Sequence, residues 1–348
     1  MAVIDADTHV DETEATWMSL EGTEAGYAPV TMGPSDEEIS RSLLSPSRSR
    51  YWLVEGRIQV RAVRDDVHHP PRPRRELEDI EGRLLDMDQM GVDIQILFPT
   101  FFIRYISLHA EPEAALARAY NRWIAEKCAQ TDGRLRWTAM LPWLDTDAAV
   151  EEIRWAKANG ACGIFKRGFD LNQPVGAPHF FPVYEEANDL DLPLCIHTGH
   201  PGSEWDRGYP IISAFSSVVS SKLADKFPAL RFGFIEAGAS WIPYALSQLA
   251  MRERTERHHE EAVTFEVTRD LFQHNRLFVT IDPVDDIEHL LKLGTEDNLM
   301  IGTDYGHSDQ SANVSALGEV GRWEERGRIN EGVATKILEE NPRVFYGL

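Results

Sequence analysis

Cysteine is scarce in this sequence and long apolar runs are absent. Cys128, Cys162 and Cys195 are too few and too scattered for a disulfide framework or a zinc ribbon. No stretch approaches the ~20 apolar residues that cross a bilayer, so no membrane association is expected. The start, Met1-Ala2-Val3-Ile4-Asp5-Ala6-Asp7, lacks a basic segment followed by an apolar one. No secretory leader is therefore expected, and the expected location is the cytoplasm. Also missing are a Gly-rich phosphate loop of Walker or dinucleotide type and a Gly-x-Ser-x-Gly nucleophile elbow, which leaves ATP, NAD and serine-hydrolase chemistry without support. Cations are in deficit. Against 57 acidic residues there are 35 lysines and arginines, a formal net charge of −22 whose field disfavours nucleic acid as a partner. With no internal repeat or low-complexity tract, residues 1–348 are expected to form one domain.

Apolar residues make up 43% of the chain, enough for a large core. Short apolar runs alternate with stretches of helical periodicity almost from end to end. The runs at 3–6, 94–98, 135–141, 163–165, 194–196, 231–235, 277–280 and 299–302 read as eight strands. The segments at 76–90, 113–130, 147–159, 181–189, 212–227, 241–259, 286–293 and 330–339 read as helices. This order predicts an α/β fold, a (βα)₈ TIM barrel, in preference to an open doubly wound sheet. A long insertion at about 12–75 separates the first strand from its helix, and insertions after strands lie on the catalytic face of such barrels. Nine arginines between Arg41 and Arg75 face only Glu55, Asp65 and Asp66, a local net of +6. That basic island reads either as an anion site or as a solvated loop.

The His and carboxylate residues fall at strand ends. Asp7 and His9 follow the first strand, His197 and His200 the fifth, Glu236 the sixth, and Asp304 and His307 the eighth. In a closed barrel these ends converge on one mouth. Side chains two apart on a strand share a face, so Asp7 and His9 can grip one ion. Imidazole and carboxylate donors suit Zn²⁺, Fe²⁺ or Mn²⁺, and the lack of a convergent cysteine disfavours a thiolate site. Lys166, after the fourth strand, could meet a substrate carboxylate. The plainer readings are an Asp7 that caps a turn, a Lys166 that snorkels, and His68-His69 and His258-His259 as loop and solvated face. Asp5 and Asp11 are expected at the strand edge or in solvent. Trp17, Trp52, Phe101, Phe102, Tyr105, Trp143, Phe169, Trp205 and Tyr209 lie in or near loops after strands, and several are expected to line an apolar pocket.

The segments Val3-Ile4-Asp5-Ala6-Asp7-Thr8-His9-Val10, Ile196-His197-Thr198-Gly199 and Met300-Ile301-Gly302-Thr303-Asp304-Tyr305-Gly306-His307 resemble the amidohydrolase-related metal-dependent barrels. The resemblance implies His9, His197 and Asp304 as metal ligands. Asp7 and Glu236 stand where that family commonly has histidines. Asp7, His9, His197, His200, Glu236, Asp304 and His307 together make three carboxylates and four imidazoles, about the complement that two ions share. This set is similar to a smaller branch of the superfamily, non-haem di-iron monooxygenases of secondary metabolism that act on coenzyme A-linked substrates (the platensimycin diterpenoid hydroxylase type). That likeness implies two irons, O₂ as co-substrate and a bulky acyl thioester whose phosphates meet Arg72, Arg74 and Arg75, with Glu236, His200 and His307 as catalytic groups. The alternative is one Zn²⁺ or Mn²⁺ serving a hydrolase or a non-oxidative decarboxylase. Exposed barrel helices are also compatible with a homodimer.

Overall fold

The computed structural model describes residues 2–33, 50–61, 70–170, 172–199, 208–256, 265–307 and 312–348. The apolar runs become eight parallel strands: β1 (Ile4–Val10), β2 (Ile94–Pro99), β3 (Leu135–Met140), β4 (Ala161–Arg167), β5 (Leu194–His197), β6 (Phe232–Ile235), β7 (Leu277–Ile281) and β8 (Leu299–Ile301). They pair in chain order, each with the next. Nearly every strand residue is buried, as expected of a parallel sheet covered on its outer face by helices and filled with side chains on its inner face. The helices of the outer layer include α1 (Ile80–Met90), α2 (Ala110–Cys128), α3 (Thr146–Ala158) and α4 (Phe181–Asp189). The Asp79 carboxylate caps α1 on the Gly82 amide, and Gly91, in the left-handed region, ends it. Asp145 caps α3 in the same way. No described helix is long and apolar enough to cross a membrane.

The ring closes between β1 and the turn that follows β8. The Asp304 amide donates to the Asp7 carbonyl at 2.9 Å, and the His9 amide donates to the Tyr305 carbonyl at 2.7 Å. The two backbones approach so closely that a Cβ on residue 302 would lie 2.4 Å from the Asp7 Cβ, and one on residue 306 would lie 2.8 Å from the His9 carbonyl oxygen. Only glycine fits at Gly302 and Gly306. The motif between these glycines is therefore the seam of the barrel.

A bulge between Asp5 and Thr8 shifts the register of β1 against β2. It corrects the expectation that Asp5 serves an edge or solvent. Asp5 is fully buried and accepts from the Thr303 amide (2.8 Å) and the Thr303 hydroxyl (2.6 Å), fastening the seam from behind. Burial pushes its carboxyl up to about 7, against those hydrogen bonds. Within the insertion, Val30–Met32, Arg50–Val54 and Arg57–Arg61 form an antiparallel sheet. This sheet delivers Trp52 onto Trp17 and Phe101, with Phe102 joining the cluster, all buried.

Candidate metal centre

Asp7, His9, His197 and Glu236 each offer a donor atom within 4.8 Å of the others, in the barrel mouth. The two imidazole Nε2 atoms lie 3.1 Å apart. Asp7 Oδ1 is 3.6 Å from both, Glu236 Oε2 is 3.3 Å from His197 Nε2, and Asp304 Oδ1 is 3.6 Å from His9 Nε2. Among the described residues, Asp7 Oδ1 has no hydrogen-bond donor.

The hydrogen bonds behind the two rings fix what faces inward. His9 Nδ1 lies 3.1 Å from the Pro99 carbonyl oxygen and His197 Nδ1 lies 2.7 Å from that of Thr198. A carbonyl can only accept, so each Nδ1 carries a hydrogen and each Nε2, when unprotonated, presents a lone pair inward. Two lone pairs at 3.1 Å, flanked by carboxylates, repel unless a metal ion or a proton lies between them. Donors about 2.1 Å from one ion are separated from each other by roughly 3.0–3.4 Å, close to the spacing seen. The donor set fits a single divalent metal.

The electrostatics agree. Burial opposes protonation of His197, but the Glu236 and Asp7 charges overcome it and raise its pKa to about 9. Burial also pushes Asp7 up, yet the two histidines hold it below the usual carboxylate range. His9 is held well below the ordinary histidine value by burial and by the charge of His307. Phe98 and Phe165 pack against the His197 ring, with centroids at 5.2 and 5.6 Å, and keep the site apolar on its inner side. Backbone strain marks two of the carboxylates. Glu236 (φ 61°) and Asp304 (φ 53°) both sit in the left-handed region, an arrangement that persists where surrounding contacts hold it.

His307 lies at the edge of this set. Its ring stacks on His9 with centroids 3.8 Å apart, its Nδ1 is 2.8 Å from Asp304 Oδ1, and its Nε2 is 3.0 Å from the Thr100 hydroxyl. His9, Asp304 and His307 form a second grouping, but it shares His9, which has only Nε2 to offer. His200 lies outside the described residues, as do Arg41, Arg48, Arg64, Trp205, His68-His69 and His258-His259. Lys166 points to the outer face of the barrel. In β4 the neighbouring Phe165 faces His197, so alternation turns Lys166 toward α4. There its Nζ binds Asp170 Oδ2 at 2.8 Å between the Trp143 and Phe180 rings. Trp143 therefore packs away from the mouth, and Tyr209 is exposed.

Two further groups tie the strand ends together, and of these Arg83 was missed from sequence. Glu12 accepts from the Thr100 and Phe101 amides and so ties the loop after β1 to the loop after β2. Burial raises its carboxyl to about 8. Arg83 is fully buried behind β1. Its spacing from Ile80 and Met87, three and four residues, places it on the inner face of α1, and that was the available signal.

The amidohydrolase family model matches residues 4–348. The chain belongs to the amidohydrolase family. A γ-resorcylate decarboxylase of Rhodococcus jostii (strain RHA1) is 25% identical over 321 residues, covering 78% of this chain and 91% of that enzyme. Among solved structures, an amidohydrolase from Mycobacterium avium subsp. paratuberculosis K-10 superposes with a TM-score of 0.79 at 17% identity, over 100% of this chain and 98% of that one. A dihydroxybenzoic acid decarboxylase from Polaromonas sp. JS666, with bound manganese and the inhibitor 2-nitroresorcinol, gives 0.66 at 20% identity, over 100% and 97%. At these identities the two structures establish the shared fold.

These findings overturn the likeness to di-iron monooxygenases and, with it, O₂ as a partner. The curated relatives are decarboxylases, and the similar Polaromonas structure holds manganese. The geometry gives the physical reason against two irons. Among the described residues, His9 and His197 aim their Nε2 atoms at one point and share one Asp7 oxygen, so these two imidazoles serve one ion rather than one each. Counting donors had ignored their direction. The coenzyme A thioester falls with the same comparisons, and the arginines enlisted for it are otherwise engaged. Arg75 is buried against Asp11 at 2.8 Å, and Arg74 pairs with Asp86 and Asp79. Arg72, half-buried beside them, is left with no thioester to serve.

Proposed function

We propose that this chain is a metal-dependent, non-oxidative decarboxylase of a small aromatic acid. One observation carries the reading: Asp7, His9 and His197 converge on a single point, beside Asp304 and Glu236, in a chain whose curated relatives are γ-resorcylate decarboxylases. Asp7, His9, His197 and Asp304 would hold one Mn²⁺ or Zn²⁺, with Glu236 beside them. When bound, the ion supplies Lewis-acid polarisation of substrate oxygens.

The remaining chemistry falls to the chain. The bond from the ring to the carboxylate breaks, the electron pair stays on the ring carbon, CO₂ leaves, and the carbon takes up a proton. No oxidant is consumed. Glu236 is assigned as the group that holds and delivers this proton, because its backbone is held left-handed at the mouth and its carboxylate reaches the same point as the ligands. Phe98 and Phe165 shield that point from water on the inner side.

The test is anaerobic incubation of Mn²⁺-loaded protein with 2,6-dihydroxybenzoate and related hydroxybenzoates, following CO₂ and the decarboxylated phenol. Turnover without O₂ supports the reading. A panel of aromatic acids left intact by fully loaded protein would sink it. Glu236→Gln should lower turnover by ~10²–10⁴, the range of a lost acid–base group.

A further inference from the structure

Behind the ligands lies a buried polar layer that the proposed chemistry does not use. Arg83 sits at its centre, on α1 and fully buried. Its Nε donates to Gln95 Oε1 on β2 at 2.9 Å. One terminal nitrogen donates to the carbonyl of His9 at 3.0 Å and the other to the Thr8 hydroxyl at 3.3 Å. The guanidinium stands over the Tyr305 ring, 4.6 Å from its centroid, and the Tyr305 hydroxyl returns to α1 by donating to Asp86 at 2.7 Å. One planar group thus touches β1, β2 and the turn after β8, which are the two sides of the closing seam and the strand beside it.

The same backbone carries the ligands. The residue whose carbonyl Arg83 holds is His9. The residue whose ring it covers is Tyr305, next to Asp304, and the His9 amide donates to the Tyr305 carbonyl. Thr8 in turn donates to the Ile96 carbonyl at 2.8 Å, and Asp5 anchors Thr303. A guanidinium buried this deeply is a poor way to gain stability, since its desolvation offsets most of the attraction it gains. Its rigid fork does something a hydrophobic side chain cannot, which is to fix three acceptors relative to one another.

We infer that Arg83 is a positioning residue for the metal centre, acting through the His9 carbonyl and the Tyr305 ring to hold Asp7, His9 and Asp304 at the spacing one ion needs. This rests on the single-metal reading above. Loss of the fork lets the seam relax, the donors drift apart, and the ion binds more weakly even where the barrel stays folded.

The experiment is calorimetric titration of the metal-stripped full chain with Mn²⁺, alongside the melting temperature of the metal-free protein. Arg83→Met should weaken binding by about 10–100-fold, the usual cost of losing a partner behind a ligand. Arg83→Lys, which keeps the charge but not the fork, should lose about 3–10-fold by the same measure and is the milder variant should Arg83→Met fail to fold. Ile153→Ala, a buried residue of α3 remote from the seam, serves as the stability control and should lower the melting temperature with unchanged affinity. Affinity within about 3-fold of the unaltered chain in both Arg83 variants, with only the melting temperature reduced, would overturn the positioning role and leave the metal reading standing. An unaltered chain that binds no Mn²⁺ or Zn²⁺ would overturn both.

Discussion

Two buried clusters of charge lie at the strand ends of this barrel, and they are built on opposite plans. At the mouth, Asp7, Glu236, His9 and His197 face one point with Asp304 beside His9, and Asp7 Oδ1 has no donor among the described residues. Beyond β4, Lys166 and Arg167 meet Asp170 and Glu113. Lys166 and the Arg167 Nε each bind an Asp170 oxygen, Arg167 also donates to the Phe102 and Arg104 carbonyls, and Glu113 accepts from the Leu144 amide. Both clusters are about equally dry. The second is neutral and closed on itself. The first carries excess negative charge and inward-facing lone pairs. Burial of charge alone therefore does not distinguish the two clusters, whereas the uncompensated negative charge at the mouth does, and it is this imbalance that the proposed metal would relieve.

The contrast can be broken from either side. His197→Ala removes one of the two inward lone pairs and should weaken Mn²⁺ binding more than ~100-fold, beyond the cost of losing an outer partner, with little change in the stability of the metal-free protein. Titration calorimetry and denaturant melts check the two halves. Asp170→Asn should do the reverse. It leaves Lys166 and Arg167 buried without their carboxylate and should cost about 3–5 kcal/mol in urea unfolding, with metal affinity intact. Saturating the unaltered chain with Mn²⁺ at about 100 times its dissociation constant should stabilise it by roughly 3 kcal/mol, visible as a rise of a few degrees in melting temperature. The Asp170→Asn chain should show the same rise, whereas His197→Ala should show none.

The smallest effect concerns pH. Burial lowers Lys166 to about 8 against the pull of Asp170. Between that value and the ordinary lysine value the unfolded chain binds more protons than the folded one, so the unaltered protein gains stability as pH rises through this window. Lys166→Met lacks this gain. Parallel unfolding curves for the two proteins at pH 7.5 and pH 10 would contradict the sign.

Much of this was legible beforehand. Alternating strands and helices gave the barrel, and the strand-end positions of Asp7, His9, His197, Glu236 and Asp304 placed these side chains at one mouth, because strand order converts sequence position into place. What a sequence does not carry is direction. Seven candidate donors suggested two ions until the Pro99 and Thr198 carbonyls fixed the tautomers and turned both Nε2 atoms to one point. Lys166 read either as a substrate contact or as a snorkelling lysine until β4 ran through it and alternation turned it outward onto Asp170. Asp5 was expected at the strand edge or in solvent, and the structure buries it against Thr303. Arg83 went unremarked because a charged residue on a helix reads as surface unless its three- and four-residue spacing to Ile80 and Met87 is given weight.

Metal stoichiometry tests the central claim most directly. The full chain is incubated with excess Mn²⁺, freed of unbound ion and assayed by mass spectrometry against protein concentration. About one ion per chain is expected, falling to near zero in His197→Ala. Two ions per chain, or none, would contradict the account.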